Sequence, residues 1–440
     1  MELQVEKLVY GGDGLARLPA DEHGRGKTVF LPLVIPGELV EATLTQSRTG
    51  FARARLNKVV SPSADRVAPE CPYFGRCGGC QYQHIAYPAQ LRFKAEILRE
   101  TLRRTAKLEL DQEIQPHPSE PWHYRNRTRV RLQHTPAFAL GYFRANSHAL
   151  LPVERCPISS RLINQAMTAV WELGRAGNVP ATVHDMQFFA NHDDSALLVE
   201  VYVRPQSANT EAAQFAEALR TALPSVTGVA IFATSPVEDE SRQHAPLTSV
   251  HNEDATAVGE EHLIYHAVRH AYQVSTGSFF QTNRFLVDEL VKTAVNGAQG
   301  SLALDLYAGV GLFTLPLAAS FKEVVAVEAS PHAYSDLREN VPPNVNAIRA
   351  TIETFLERQA DPLKPDFVLL DPPRAGLGER ATAALCRTSA GQVTIVSCDP
   401  ATLSRDLRLL LESGFKVEQA HLFDLFPQTA HMETVLHLVR

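Results

Sequence analysis

Two regimes of hydrophobic patterning divide the chain. From about residue 276 onward, short β-branched runs alternate with helical spacing. The runs Ser301–Leu306, Glu323–Glu328, Asn344–Ala350, Asp366–Asp371, Gln392–Ser397, Phe415–Phe423 and Thr434–Val439 read as strands, and helical patterns fill the first five gaps. Apolar runs of this kind mark strands buried on both faces, so this part predicts a doubly wound parallel sheet, an α/β domain over 276–440. No helix separates the last two runs, which predicts an antiparallel hairpin at the end of the sheet.

The first 60 residues follow another rule. Short strands over Val5–Val9, Lys27–Leu31, Leu39–Thr45 and Phe51–Val59 are separated by Gly11-Gly12-Asp13-Gly14 and Val34-Ile35-Pro36-Gly37 turns, which predicts an OB-like β-barrel. Between the two lies a mixed α+β segment, 61–275. Helices are expected over Pro88–Ala106, Arg161–Gly174 and Thr210–Leu223, and strands over Ala196–Val203, Thr227–Thr234 and His262–Val274. The stretch Ser235–Glu261 reads as a polar loop excursion or hairpin. In Tyr124–Arg131 basic residues alternate with others, as in a strand with one cationic face. Four arginines on one face call for an anion opposite them, and nucleic-acid phosphate is the natural candidate. Arg53, Arg55 and Lys58 on the last barrel strand suggest a second phosphate-binding stripe, and a merely solvated face is the plainer reading of it.

Charge sharpens this picture. The 440 residues carry a net charge of −7, yet residues 1–150 hold 21 Lys and Arg against 15 Asp and Glu, which leaves −13 for the rest. The asymmetry hints at an anionic partner for the first third. No run is long enough to span a membrane, and Met1-Glu2-Leu3-Gln4 does not open a signal segment, so a cytoplasmic protein with no membrane partner, by default a monomer, is expected.

Six cysteines remain: Cys71, Cys77, Cys80, Cys156, Cys386 and Cys398. Disulfides are not expected in a cytosolic chain. Cys71, Cys77 and Cys80 share a glycine-containing loop, and Cys156 precedes Pro157. Three plus one thiolates suit an iron–sulfur cluster; structural zinc also takes four thiolates but more often from two close pairs. Cys386 falls in a helical run and reads as a packing residue.

Cys398 is different. In Ser397-Cys398-Asp399-Pro400 it ends a predicted parallel strand and precedes a helix opened by Pro400. Open α/β sheets bind ligands beyond the carboxyl ends of their strands, where a thiol can act as a nucleophile. A lone cysteine there is more commonly core packing, so its company decides. Gly309 and Gly311 follow the first strand and let a ligand approach the backbone. Thr314 replaces the third glycine of a nicotinamide loop, and Glu328 ends the second strand, where a carboxylate can accept ribose hydroxyls. Asp371-Pro372-Pro373-Arg374 leaves the fourth strand, and Glu433 precedes the last one. A nucleophilic cysteine with a carboxylate base is what methylation at a pyrimidine carbon requires.

Together these motifs resemble the RNA uracil-C5-methyltransferase family over nearly the whole chain, and its large-subunit (23S) ribosomal RNA branch most of all. The likeness rests on a barrel like the TRAM domain, C-x5-C-x2-C with Cys156, Phe279-Phe280-Gln281-Thr282-Asn283, Asp-Leu-Tyr-Ala-Gly, Asp-Pro-Pro-Arg, Ser-Cys-Asp-Pro and His-Met-Glu. A parallel sheet ending in a hairpin is also the methyltransferase arrangement. The resemblance implies S-adenosylmethionine and a 4Fe–4S cluster on Cys71, Cys77, Cys80 and Cys156 as cofactors. It implies Cys398 as nucleophile, Glu433 as base, and Gln281, Tyr307, Glu328 and Asp371 around the cofactor, with Phe279 a candidate to stack on a base. Leu312 and Thr351 depart from residues found in some relatives and are left out of the site. Transfer RNA is the alternative substrate, and an inactive RNA-binding factor the alternative class. Amino methylation is disfavoured by Arg374 and Cys398.

Overall fold

Alternating burial builds the first unit. In the computed structural model, which describes residues 1–19, 26–205, 209–234, 255–358 and 364–440, β1 (Glu2–Leu8), β2 (Gly14–Arg17), β3 (Thr28–Leu31), β4 (Leu39–Ser47) and β5 (Phe51–Ser61) form a closed barrel in the order β1-β2-β3-β5-β4. Leu3, Val5, Val29, Val40, Ala52 and Ala54 point inward. Arg53 and Arg55 alternate with Ala52 and Ala54 and lie on the outer face, as expected from period two. Strand β2 adds to the expected strands and shares only Gly14 with the expected Gly11–Gly14 turn.

After the cysteine loop, α1 (Tyr87–Thr101) runs into a π-helical turn over Leu102–Ala106, stopped by left-handed Lys107. The helix buries Ala89, Phe93, Ile97 and Leu98 in a core shared with Leu8 and Ile35 of the barrel and with Leu407, Leu422 and Leu436 far downstream. Inside this contact Lys94 Nζ meets Asp424 Oδ1 at 2.6 Å, both side chains wholly buried. Strand β6 (Gln115–His117) follows.

The central sheet, seven strands among the described residues, comprises β7 (Arg127–Gln133), β8 (Ala139–Phe143), β9 (Leu150–Pro152), β10 (Val183–Ala190), β11 (Leu197–Val203), β12 (Val226–Ala233) and β13 (Thr256–Gly259) in the order β13-β12-β11-β10-β7-β8-β9. Helices α2 (Arg161–Arg175) and α3 (Asn209–Ala222) flank it. Strand β10 was not anticipated, because all eight of its positions are buried, His184, Asp185 and Gln187 among them, and no alternation survives.

Those buried acids also correct the reading of the arginine strand. Arg129 and Arg131 each reach Asp185 at 3.2 Å, and Arg127 lies 3.7 Å from Glu200. Their guanidinium groups stack on Phe189 (Arg127), Tyr202 (Arg129) and Phe143 (Arg131) at 4.4–4.8 Å. The anions that Arg127, Arg129 and Arg131 require are supplied by carboxylates of the neighbouring strands. A second correction concerns His262–Val274. It is a hairpin, β14 (His262–Ala267) and β15 (His270–Ser275), reversed by consecutive left-handed residues Val268 and Arg269. Of the expected excursion Ser235–Glu261, residues 235–254 lie outside the described residues.

The last unit has α4 (Val287–Ala294), β16 (Gly300–Leu306), α5 (Thr314–Ala318), β17 (Phe321–Glu328), α6 (Pro331–Asn340), β18 (Val345–Arg349), α7 (Ile352–Glu357), β19 (Phe367–Leu370), α8 (Gly378–Cys386), β20 (Gln392–Ser397), α9 (Pro400–Glu412), β21 (Lys416–Phe423) and β22 (Glu433–Val439). Sheet order is β18-β17-β16-β19-β20-β22-β21-β6. The first five strands are parallel, and β21 and β22 pair antiparallel as expected. Strand β22 inserts between β20 and β21, and β6 adds a parallel edge from across the expected boundary at 275/276. Cys386 is half-buried at the end of α8.

Candidate active site

The parallel strands β16, β17, β19 and β20 all end at one edge of the sheet, and the chemistry-bearing residues follow those ends. Cys398 is the first residue past β20 and is half-buried. Asp399 then caps α9, its Oδ1 accepting from the backbone N–H of Ala401 and Thr402 at 2.9 Å each, and Pro400 fills the first helical position. Strand β22 pairs with β20 up to Ser397 opposite Thr434. Cys398 follows Ser397 and Glu433 precedes Thr434, so both stand at the same end of this ladder, and the charge of Glu433 acts on the Cys398 thiol. Glu433 is 4% exposed.

The electrostatics tie these groups together. Burial, then the charges of Glu433 and Asp371, push the Cys398 thiol up, and Arg374 opposes them. Burial and Asp371 hold the Glu433 carboxyl well above the usual range, again against Arg374. Asp371 is pushed up to about 7 by burial and by Asp305, while a 3.2 Å hydrogen bond from Gln281 Nε2 works the other way. Cys398 and Glu433 thus share one cation, Arg374, from the exposed end of the Asp-Pro-Pro-Arg segment. His431 is held neutral, pushed down to about 3 by burial and by Arg374, Lys94 and Arg125.

The glycine loop lies beside this cluster. Gly309 (φ +57°) leaves open space where a Cβ would stand, and Gly311 (φ +97°) would bring one to 3.0 Å from Leu337. Tyr307 is also left-handed, at φ 67°. Glu328 accepts from the N–H of Gly309 at 2.9 Å and of Ser330 at 2.6 Å, which aims it at the loop and leaves lone pairs for hydroxyls. Asp305 is buried and pushed up to about 7 by burial; its Oδ2 accepts from Thr314 Oγ1, and its Oδ1 is buried without a partner. Carboxyls carried above their usual range around an open glycine loop suit a ligand that brings positive charge and hydroxyls. The residues therefore fit S-adenosylmethionine. Gln281 is buried, and Phe279 two residues before it is 50% exposed.

Cys71, Cys77, Cys80 and Cys156 are free and half-exposed, and the first three thiols are raised by burial and by the charge of Cys156. The N–H of Gly79 donates to Cys77 Sγ at 3.4 Å, and Asn164 holds Cys156 through bonds to both its N–H and its carbonyl. The four thus share one neighbourhood with a sulfur-only donor set. Even so, among the described residues no group of three or more His, Cys, Asp or Glu is arranged to hold a metal ion.

The strand-end reading expects Cys398, Glu433, Asp371 and Glu328 at this edge, and the resemblance adds Gln281 and Tyr307. Sequence reasoning missed Arg374 as the shared cation, although its motif was in view. It also missed Tyr10, whose Oη donates to Asp399 Oδ2 at 3.0 Å across 389 positions of sequence, with no local signal to reveal it.

Comparison with known proteins agrees with this geometry. The tRNA (uracil-5-)-methyltransferase family model matches residues 86–440, and the TRAM-domain model residues 1–56. The 23S rRNA (uracil(1939)-C(5))-methyltransferase RlmD of Shewanella frigidimarina is 31% identical, over 99% of this chain and 95% of its own. An uncharacterized RNA methyltransferase of Aquifex aeolicus is 30% identical, over 99% and 97%. The Pyrococcus abyssi tRNA (uracil-54, C5)-methyltransferase, crystallised with S-adenosyl-L-homocysteine, superposes over the whole of both chains with a TM-score of 0.75 at 22% identity and so shares the fold. The chain belongs to the RNA uracil-C5-methyltransferase family, whose enzymes use S-adenosylmethionine.

Proposed function

We propose that the chain methylates C5 of a uridine in 23S rRNA, with Cys398 as nucleophile and Glu433 as base. The pairing of β20 with β22 up to Ser397 and Thr434, which leaves Cys398 and Glu433 at the same end of the ladder, supports the mechanistic reading. The RlmD relatives, named for 23S rRNA, support the substrate. The barrel of residues 1–60 and the central segment 61–275 then serve the RNA, and 276–440 the methyl transfer.

Uracil C5 is a weak nucleophile. Cys398 Sγ, once deprotonated, adds to C6; the new S–C6 bond leaves C5 with enolate character, able to accept a methyl group. S-adenosylmethionine, when bound, supplies that electrophilic methyl. Glu433 then takes the C5 proton, and the released electron pair expels the thiolate from C6 and restores the C5–C6 double bond. Arg374 favours the ionised forms of both residues. Gln281, Tyr307, Glu328 and Asp371 line the cofactor side. The target base must leave its stack to reach Cys398, and exposed Phe279 is placed to stack against it. The experiment is capture of 5-fluorouridine-substituted 23S rRNA and tRNA, side by side, with labelled S-adenosylmethionine. A denaturation-stable adduct with 23S rRNA, lost in Cys398→Ala, is expected. Glu433→Gln with unmodified RNA should accumulate methylated adduct. Undiminished methyl transfer by Cys398→Ala would remove the covalent reading, and capture of tRNA alone would move the substrate to that class, after which the family is named.

We also propose that Cys71, Cys77, Cys80 and Cys156 hold a 4Fe–4S cluster, which would staple the 71–80 loop to the connection between β9 and α2. Iron and acid-labile sulfide in anaerobically purified protein, both lost in Cys156→Ala, are expected. Zinc without sulfide would refute it.

A further inference from the structure

We propose that Tyr10 of the N-terminal barrel is a positioning residue for the Cys398 loop, so that the barrel completes the catalytic centre besides serving the RNA. The inference rests on Cys398 being the nucleophile.

Asp399 is clamped through both carboxylate oxygens. Oδ1 is fixed to the start of α9 by Ala401 and Thr402 N–H groups, and Oδ2 accepts from Tyr10 Oη at 3.0 Å. The Asp399 N–H adds a longer contact to Ser397 Oγ at 3.4 Å. Cys398 stands between these two anchored neighbours. The helix cap alone would hold Asp399 to α9; the phenol ties it to a separate unit and removes the freedom of the loop to rotate about the helix start. Burial, with Asp399 beside it, raises the Tyr10 hydroxyl, which keeps it a neutral donor through the working pH range.

The turn that carries Tyr10 touches the second catalytic loop as well. Gly12 (φ +98°) packs so closely that a Cβ would lie 2.9 Å from Gln81 and 3.2 Å from Ala430. Gln81 in turn accepts from the Ala430 N–H at 3.1 Å, and its own N–H donates to the Gln428 carbonyl. Residues 428–432 lead directly into Glu433. One barrel turn thus braces the loop of the nucleophile and the loop of the base. A misplacement of about 1 Å can cost roughly a hundredfold in rate, so loss of one such hydrogen bond is expected to cost about tenfold.

Tyr10→Phe keeps the ring and removes the hydroxyl. Single-turnover capture of 5-fluorouridine-substituted RNA, whichever of 23S rRNA and tRNA the unaltered full-length chain traps, should slow about tenfold. RNA affinity and KM for S-adenosylmethionine should change less than about twofold, and the melting temperature by less than about 2 °C. An unchanged capture rate, or a fall in affinity that accounts for the slower capture, would overturn the inference; the second result would make the turn part of the RNA grip. Cys398→Ala in the same assay separates the two claims, since adduct persisting there removes the nucleophile itself, whatever Tyr10→Phe does.

Discussion

Burial and neighbouring acids raise the Cys398 thiol and the Glu433 carboxyl, and Asp371 and Asp305 are each pushed up to about 7. A cationic ligand favours the ionised carboxylates, so its binding releases protons wherever Asp371 and Asp305 are still protonated. S-adenosylmethionine affinity should therefore rise with pH, by up to about tenfold per proton released per unit, and flatten above about pH 8. Isothermal titration across that range in two buffers of different ionisation heat checks both the slope and the proton release; a flat profile would contradict the assignment of these carboxyls to the cofactor side. At this scale the sequence was informative where a residue's place on a strand end dictates its surroundings, as for Cys398, Glu433 and Asp371. It was silent on Tyr10, because a hydrogen bond between units leaves no periodicity in either.

Strands were legible where one face is wet or both are apolar, and illegible where polar side chains are buried in pairs. Val5, Ala52 and Ala54 obey the first rule, and the runs of β16, β17, β19 and β20 the second. Strand β10 obeys neither, because Asp185 and Gln187 are buried to answer Arg129, Arg131 and Glu200. The same pairing explains why the arginine strand misled. Its charges are consumed within the sheet, whereas Arg55 stands exposed on the barrel. Two elements of similar sequence should consequently differ in function. Arg55→Ala is expected to lower the slope of log affinity against log salt by about one, while Arg131→Ala should lower thermal stability and leave the slope unchanged. Fluorescence anisotropy over a salt series distinguishes them, and a slope change in Arg131→Ala would return that strand to the RNA interface.

At the scale of the whole chain, contacts ignore the expected boundaries at 60/61 and 275/276. Core packing joins Leu8 and Ile35 to α1 and to Leu407 and Leu436, and the buried Lys94–Asp424 pair bolts α1 to the segment entering β22. Lys94→Met leaves an uncompensated buried carboxylate and should cost about 3–5 kcal/mol in denaturant unfolding, part of it recovered by adding Asp424→Asn. A loss below about 1 kcal/mol would show that the junction is hydrated and loose. Strand β6 has a consequence of another kind, in time rather than energy. Its His117 stacks on Phe423 at 3.9 Å between centroids and meets His421 at a separation of 304 residues. At a synthesis rate of about 5–20 residues per second, β6 leaves the ribosome roughly 15–60 s before the strand it must pair with exists. Throughout that interval the nascent chain carries an unpaired edge segment, and β22 must still wedge between β20 and β21 after it. The first strand of this sheet to be made thus takes an edge, next to β21, one of the last two made.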